Sequence, residues 1–219
     1  EKEQNEIHEK VFYFSDKKAK HLMTHRMEVE WVDINAPEDE IRKELDQCQH
    51  SKIVCCHETM DQIEGVLLQI DYYKALAEGK DFRVRDLLKE PIVVHENVLA
   101  PKVLQNLRQN NTHFSIVVDE YGDFEGIITL HDVMENIVGY ILDEGEVEEP
   151  DYFVREDNSV LVNGDAPIEV LMEILDDFYV DYDQIDYTTV AGFVIDQINV
   201  IPKTGDKIIY LDYNIEIMD

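Results

Sequence analysis

The fold is decided by a short stretch that occurs twice in the chain. It reads Gly65-Val66-Leu67-Leu68-Gln69-Ile70-Asp71 in the first copy and Gly126-Ile127-Ile128-Thr129-Leu130-His131-Asp132 in the second, 61 positions later. Both copies begin with glycine, continue through apolar residues and end with aspartate. Self-similarity of this kind is the mark of an internal structural repeat, so we expect two copies of one supersecondary unit.

The residues around each stretch follow the same order. An apolar run typical of a strand precedes each stretch, at 52–55 and at 114–118, and a helical pattern precedes each run. Pro37 introduces the first helical pattern and Pro101 the second, as is common in the first turn of a helix. Another helix follows each aspartate. Each unit is therefore predicted to be strand, helix, strand, strand, helix, with the two units packed as a pseudo-twofold pair because neither is large enough to bury a full core alone.

Composition limits the possible partners. The 219 residues include 49 acids and 19 Lys plus Arg, for a formal net charge of −30, and 44% of residues are hydrophobic. The apolar content is enough for a core, which excludes wholesale disorder. A chain this acidic lacks the basic face that nucleic acid or an anionic membrane surface requires, so neither is expected as a partner. It is able to attract divalent cations through carboxylate oxygens.

The cysteines and the hydropathy pattern indicate the compartment. There are three cysteines, of which Cys55 and Cys56 are adjacent, and this is no disulfide framework. No spacing typical of a zinc site occurs, and no bound metal is predicted. No apolar run approaches the ~20 residues that span a bilayer, and the chain opens with polar residues rather than a signal peptide. The residues by themselves predict a soluble intracellular piece.

The composition changes after the second repeat. Between 143 and 157 there are eight acids and one base, with Gly145 and Pro150 among them, which is typical of an exposed linker. Beyond it the pattern predicts a strand at 160–162, a helix from about 167 to 175, and further strands around 189–195, 207–211 and 214–218. The run 190–195 is the longest apolar run and fits a buried strand. This tail is predicted to be a small α+β domain.

Paired βαββα units that end in Gly-apolar-apolar-Thr-x-x-Asp resemble a cystathionine-β-synthase-type (CBS) domain pair. The second copy, extended through 133–139 to Asp143-Glu144, is similar to the CorC/HlyC family of magnesium and cobalt efflux proteins, which is related to the cyclin-M transporters. Met23-Thr24-His25-Arg26 resembles the family's Met-Thr-Pro-Arg, with histidine where proline is usual. The segments 187–192 and 201–206 resemble the family's transporter-associated C-terminal domain.

The resemblance implies a domain organisation and a location. Residues 1–21 would be a connector from a membrane domain, 22–80 and 81–143 the two CBS domains, 144–150 an acidic linker, and 151–219 the transporter-associated domain. The fold class is then α/β for the CBS pair and α+β for the tail. Members of the family usually carry a membrane domain before the CBS pair, so the chain would be a soluble fragment that works at the cytoplasmic face of the plasma membrane. CBS pairs commonly self-associate, which implies a homodimer.

The second repeat carries the residue types of a nucleotide site. Gly126 allows close approach of a ligand to the backbone. Thr129, at the strand-to-helix junction, offers a hydroxyl beside free N–H groups that suit phosphate, and Asp132 can accept hydrogen bonds from two ribose hydroxyls. The alternative is that Thr129 only caps the helix and Asp132 complements its dipole. In the first repeat Leu68 stands in place of the threonine, so one nucleotide per CBS pair is expected.

The resemblance adds three residues from elsewhere in the chain. In the related transporters the threonine of Met-Thr, and an aromatic-then-basic stretch before the first-copy strand, line an ATP site. Here these positions are Thr24 and His50-Ser51-Lys52, so that His50 would stack on adenine and Lys52 would reach a phosphate. Alternatively, both are ordinary exposed residues. Few bases are available to offset the acidic charge, the candidates being Lys52, Arg26 and Arg42. Mg²⁺ would supply the missing positive charge, so the expected ligand is ATP or AMP, together with Mg²⁺.

Other functions receive less support from the sequence. No nucleophile–base spacing, metal triad or Walker loop occurs, and no enzymatic activity is predicted. The family's tail domain is similar to a subdomain of some flavin-dependent oxidases, which leaves FAD binding as an alternative, although no Gly-x-Gly-x-x-Gly fingerprint is present. A dimerisation or interaction module that binds no nucleotide is the second hypothesis. A hemolysin-type annotation is possible through the family name only. The sequence predicts no membrane-lytic activity, since it contains no amphipathic cationic helix.

Overall fold

The computed structural model describes residues 10–79, 81–139 and 150–218. The chain divides into two compact units, with the boundary between residues 140 and 141. The first unit opens with helical residues 10–16 (α1) and a two-residue strand β1 (Thr24–His25). The first repeat then contains β2 (Trp31–Asp33), α2 (Glu38–Gln47), β3 (Lys52–His57), β4 (Thr59–Leu68) and α3 (Gln69–Glu78). The second repeat contains β5 (Ile92–His95), α4 (Ala100–Gln109), β6 (Phe114–Val118), β7 (Phe124–Thr129) and α5 (Leu130–Val138). The predicted order of elements is confirmed in both repeats.

The local sequence explains the central helices and the turn of the second repeat. Pro37 is the N-cap residue of α2, and Pro101 lies in the first turn of α4, so both prolines introduce helices as predicted. Gly122 has a φ of +89°, which only glycine adopts without strain, and it reverses the chain between β6 and β7.

The two repeats exchange the segments that precede them. The sheet of the first repeat has the order β2-β3-β4, and that of the second repeat has the order β1-β7-β6-β5. Strand β1 precedes the first repeat in sequence, yet Thr24 lies opposite Ile127 in the second. Lys89, which precedes the second repeat, lies opposite Val66 in the first. The exchange is reciprocal, so neither repeat completes its sheet without the other.

Three apolar clusters hold the described residues of the first unit together. One fills the first repeat beneath α2, where Ile41 and Leu45 are buried, and a second fills the other repeat beneath α4, where Val103 and Leu107 are buried. The third joins the two sheets across the pseudo-twofold relation, and its members are Val29, Val54, Cys56, Val66, Phe114, Ile116 and Phe124. Burial of apolar area is the main stabilising term, so the two repeats are expected to unfold as one unit.

The segment predicted to be a connector contributes to the core of the second repeat. Phe14 and Ala19 belong to that repeat's apolar cluster, as does Leu22, the first residue after the predicted connector. The backbone is tied down as well, because Ala19 N–H donates to the Val98 carbonyl at 2.8 Å. The described part of the connector, residues 10–21, is therefore a packed element of the second repeat.

Over its described residues, 150–218, the second unit contains two hairpins and two helices. Its elements are β8 (Tyr152–Val154), β9 (Val160–Val162), α6 (Val170–Ile174), α7 (Val190–Ile198), β10 (Lys207–Tyr210) and β11 (Tyr213–Glu216). Strand β8 pairs with β9, and β10 pairs with β11, both antiparallel. The strands predicted at 160–162, 207–211 and 214–218 are confirmed to within a few residues. The acidic residues 143–149 lie outside the described part of the chain.

The strand predicted at 189–195 is wrong, because this run forms helix α7. The Oγ of Thr189 accepts a hydrogen bond from Gly192 N–H at 3.2 Å, which caps the helix, and Asn199 ends it in the left-handed conformation. Packing then overrides the strand preference of the β-branched residues, since Phe193 and Val194 are buried against the rest of the unit. The helix predicted at 167–175 is shorter than expected, because α6 covers only Val170–Ile174. The sequence does not predict strand β8, because Phe153 and Val154 lie next to an acidic run and are exposed. Within the described ranges, no helix is long and apolar enough to cross a membrane.

Candidate nucleotide-binding site

Thr129 and Asp132 form a reciprocal cap at the start of α5. Asp132 N–H donates to Thr129 Oγ1 at 3.2 Å, and Thr129 N–H donates to Asp132 Oδ2 at 2.6 Å. The capping role considered from the sequence is therefore present. It uses one carboxylate oxygen, and Oδ1 of Asp132 has no hydrogen-bond partner among the described residues. The cap holds the carboxylate in a fixed orientation at the positive end of a helix, where its second oxygen can still accept hydrogen bonds.

Glycine is needed at position 126 because β1, which pairs with β7, lies very close to it. A Cβ at this position would clash with the Thr24 carbonyl oxygen and would lie 3.1 Å from Met23 Sδ. The equivalent Gly65 has the same relation to the other exchanged segment, since a Cβ there would lie 3.0 Å from the Lys89 carbonyl oxygen. The chain's own backbone therefore approaches Gly126 closely, at the position where the sequence predicted close approach of a ligand. The glycine that begins both repeated stretches is explained by the reciprocal exchange.

His25 replaces the proline of the family motif without changing the backbone. Its φ of −67° and ψ of 147° are values that proline adopts. The imidazole Nδ1 accepts a hydrogen bond from Met27 N–H at 3.4 Å and so begins the short 3-10 helix Arg26–Glu28. Thr24 therefore keeps its place beside β7, next to the strand that ends in Thr129.

The equivalent position in the first repeat is closed. Leu68 is the N-cap residue of α3 and its side chain makes no capping hydrogen bond. Asp71, which corresponds to Asp132, forms an ion pair with Lys89 Nζ at 2.6 Å. The sequence did not predict a role for Lys89. The available signal was its position, since Lys89 precedes the second repeat just as Thr24 precedes the first. The two sites are therefore chemically unequal.

His50 and Lys52 lie in the first repeat, at the start of β3. Lys52 pairs with Leu68 along the strand, and among described residues no hydrogen bond or ion pair engages its ammonium group. The imidazole of His50 is 63% exposed, with Nε2 at 3.7 Å from Glu30 Oε2. The same carboxylate oxygen lies 3.1 Å from Cys48 Sγ. The structure thus brings Thr24, Gly126, Thr129 and Asp132 together around β7, whereas no described contact joins His50 or Lys52 to them.

Two of the three candidate bases are used within the protein. Arg26 donates to the Phe124 carbonyl at 2.9 Å and to Asp61 at 3.0 Å, which links the two repeats. Arg42 donates to Glu38 and to the Phe82 carbonyl, and its guanidinium lies 4.3 Å from the centroid of the Phe82 ring. Among these three candidates only Lys52 keeps its charge unpaired in the described part of the chain.

Comparison with known proteins identifies the class of domain. Residues 84–139 match the CBS domain model, and residues 153–219 match the model of the transporter associated domain named CorC_HlyC. The chain is therefore a CBS-domain pair followed by a transporter-associated domain. These domain matches agree with the resemblance to the CorC/HlyC family that the motifs indicated.

Curated relatives are similar to this chain over almost its whole length. A UPF0053 protein of Synechocystis sp. is 31% identical over 217 residues, which are 99% of this chain and 48% of that protein. A polyamine export protein of Salmonella typhimurium is 27% identical over 221 residues, which are 100% of this chain and 48% of that protein. The chain spans about half the length of these curated relatives.

Solved structures show what similar CBS domains bind. The CBS domain of a bacterial CNNM/CorC family Mg²⁺ transporter in complex with ATP is 29% identical, with a TM-score of 0.57, and the match covers 63% of this chain and 99% of that one. A CBS-domain pair with bound AMP from Klebsiella pneumoniae is 28% identical, with a TM-score of 0.54. The match covers 56% of this chain and 99% of that structure's chain. Adenine nucleotides are thus ligands of similar CBS domains.

Proposed function

We propose that the first unit binds one adenine nucleotide at the junction of β7 and α5, and that it regulates a CorC-like membrane protein that exports Mg²⁺ or Co²⁺ or maintains ion balance. The observation that carries the proposal is the fixed carboxylate of Asp132, which keeps one oxygen free while its counterpart Asp71 is paired with Lys89. The ATP and AMP complexes of similar CBS domains support the same ligand class.

Each part of the ligand has a matching group in the chain. The free oxygen of Asp132 accepts hydrogen bonds from ribose hydroxyls. At the start of α5 the N–H groups of Leu130 and Asp132 already donate to the His113 carbonyl and to Thr129 Oγ1, so the N–H of His131 is the one that meets a phosphate. Thr24 lies beside the site on β1. Lys52 and His50 are included because the resemblance to related transporters implies them, and in the complex they would meet the phosphates and the adenine. Mg²⁺ would supply positive charge beside the phosphates, because Arg26 and Arg42 are engaged elsewhere and the chain carries a net charge of −30.

The regulatory role rests on the length of the relatives and on the transporter-associated domain. In this proposal the rest of the protein contains a membrane domain that precedes residue 1, and the described units work on its cytoplasmic face. A nucleotide shifts the state of that domain through unequal affinity for its two conformations. The 27% identity to a polyamine export protein favours a second candidate cargo, an organic polycation.

We further propose that the unit is a homodimer formed through its CBS repeats. Helix α3 exposes Ile70, Tyr73 and Leu76 at a spacing of three residues, with 57%, 44% and 41% of each side chain accessible. Helix α5, at the equivalent place in the second repeat, exposes Met134 and Val138. A stripe of this kind is typical of a helix that packs on a partner. Sedimentation analysis of the wild type and of Tyr73→Glu tests the dimer, which the added charge should dissociate.

Calorimetry with a matched pair of variants tests the nucleotide site. The chain is titrated with ATP, with and without Mg²⁺, and then with AMP and FAD. We expect saturation near one ATP per chain, with tighter binding when Mg²⁺ is present. Asp132→Ala should lose affinity at least tenfold, since it removes a charged acceptor. Asp71→Ala makes the same change in the first repeat, where the carboxylate is paired, and should bind as the wild type does.

The outcomes separate the competing functions. An equal loss of ATP affinity in Asp132→Ala and Asp71→Ala would show that the nucleotide does not bind at the junction of β7 and α5. Absence of binding by every adenine nucleotide would make the CBS pair a dimerisation or interaction module without a nucleotide. Saturable binding of FAD, without binding of ATP or AMP, would favour the alternative that the second unit is a flavin-binding domain.

A further inference from the structure

The helix that begins at the candidate site is also the helix on which the N-terminal segment is docked. Lys17, just after α1, is only 7% exposed, and its Nζ donates to Asn136 Oδ1 on α5 at 2.9 Å. Asn136 in turn donates from Nδ2 to the backbone carbonyl of Asp132 at 2.9 Å. A continuous set of contacts thus runs from the N-terminal segment to the residue that carries the proposed site.

Packing along α1 and α5 reinforces this link. Phe14 is 6% exposed and lies in the same apolar cluster as Val133, in the middle of α5. Lys10 lies beside Gly139, the residue after the last turn of α5, so closely that a Cβ on the glycine would clash with its ammonium group. The N-terminal segment therefore meets α5 in its middle and at its C-terminal end, while Thr129 and Asp132 occupy the N-terminal end.

Burial of the Lys17 ammonium makes this contact sensitive to the position of α5. A buried charge is costly unless its hydrogen bonds are satisfied, and Asn136 supplies one of them. If α5 turns or shifts, the side chain of Asn136 moves away and Lys17 loses that acceptor. A ligand held by Asp132 restrains the same helix from its other end.

We propose that Lys17 and Asn136 couple nucleotide binding to docking of the N-terminal segment 10–17, so that each stabilises the other. This inference rests on the proposed function, because it requires a nucleotide at Asp132. Coupling free energy is reciprocal. If a bound nucleotide strengthens docking of the segment, then loss of docking lowers the affinity for the nucleotide by the same factor. The segment that precedes the CBS pair thereby senses the state of the site.

The test measures both directions of the coupling on the whole chain. Lys17→Met keeps the apolar stem of the side chain and removes the charge, and Asn136→Ala removes the acceptor from the other side. Lys43→Met, on the exposed face of α2, is the matched control. We expect Lys17→Met and Asn136→Ala to weaken Mg-ATP binding about fivefold or more, with the control unchanged. In the wild type, Mg-ATP should slow amide hydrogen exchange in residues 10–22, and neither variant should show that effect.

The outcomes distinguish this inference from the proposed function. If the wild type binds no adenine nucleotide, the proposed site fails and the coupling fails with it. If the wild type binds Mg-ATP but both variants keep the affinity of Lys43→Met, the coupling alone is overturned. If both variants lose thermal stability equally but show unchanged ATP affinity, the contact is only structural and the inference is wrong. The two variants act on opposite partners, so poor folding of one leaves the other as the test.

Discussion

The ammonium of Lys89 lies 2.6 Å from the carboxylate of Asp71, whereas Thr24, the residue that takes the equivalent place in the other repeat, offers no charge to Asp132. The reciprocal exchange of segments therefore delivers a lysine to one aspartate and a threonine to the other. A fold with pseudo-twofold symmetry acquires two unequal sites in this way, without any change in backbone topology.

Lys89→Met should leave the nucleotide stoichiometry at one per chain. The ion pair is only one of two reasons why the first site is closed, since Leu68 still provides no hydroxyl at the start of α3. Because the lysine side chain is 56% exposed, the free energy of unfolding should fall by about 1 kcal/mol or less. Calorimetry with Mg-ATP and urea unfolding measure the two quantities. A second binding event would contradict the expectation and show that the ion pair alone excludes the ligand.

Gly126→Ala should be among the most destabilising single changes in the first unit. The added Cβ would meet the backbone oxygen of Thr24, which cannot move without displacing β1, and overpacking of this kind costs about 3 kcal/mol. Gly79→Ala is the control, since nothing lies within 4 Å of its Cβ position and only the φ of +64° opposes the change, at about 1 kcal/mol. Urea unfolding of both variants checks the difference. Equal losses would mean that β1 is not held against β7.

Arg26→Ala should weaken the association of the two repeats. The guanidinium donates to a carbonyl on β7 and to Asp61 on β4, and a hydrogen bond from a charged group contributes about 1.5–3 kcal/mol. Arg26→Lys should not recover the loss, because a single ammonium group cannot reproduce the two-sided geometry. Arg85→Ala is the control, since its ion pair with Glu64 is long, at 3.5 Å, and half exposed. Unfolding free energies that are alike for Arg26→Ala and Arg85→Ala would refute this role.

The sequence predicted the repeats well because their signals are local. Proline before a helical pattern, an apolar run and the glycine-to-aspartate stretch each specify a neighbouring element. It did not predict the exchange of segments, since β1 contains only Thr24 and His25 and its partner is about a hundred residues away. The burial of Phe14 and Lys17 was missed for the same reason. Of the proposed site, the capping pair was predictable, whereas the pairing of Lys89 and the engagement of Arg26 depend on tertiary contacts.

Thr189→Ala should destabilise the second unit by about 1 kcal/mol, because it removes the N-cap of α7. Thr189→Ser keeps the acceptor oxygen and should lose little. Thr204→Ala changes an exposed threonine in a turn and serves as the control. Urea unfolding followed by circular dichroism measures these differences. If the alanine variant is as stable as the control, then the Thr189 hydroxyl does not stabilise α7 as its N-cap.

Glu30→Gln should make Cys48 more reactive at pH 8. Burial and, next, the hydrogen bond to the Glu30 carboxylate together raise the pKa of the Cys48 thiol to about 11. Removal of the negative charge lowers the pKa, so more thiolate is present at any pH below it. Since the thiolate is the reactive form, alkylation by iodoacetamide should accelerate by about three- to tenfold. Burial also raises the pKa of Cys55 and of Cys56 to about 12, so both should react slowly in every variant.

Mass spectrometry of the modified peptides separates Cys48 from the other two thiols. Glu28→Gln removes an exposed carboxylate two residues away and should leave the rate unchanged. A rate that stays the same in Glu30→Gln would mean that the carboxylate does not face the thiol. Because the same Glu30 oxygen lies 3.7 Å from His50 Nε2, this result would also remove the contact that places the imidazole proposed to meet adenine. The alkylation rate is thus a probe of the first-repeat side of the site that needs no nucleotide.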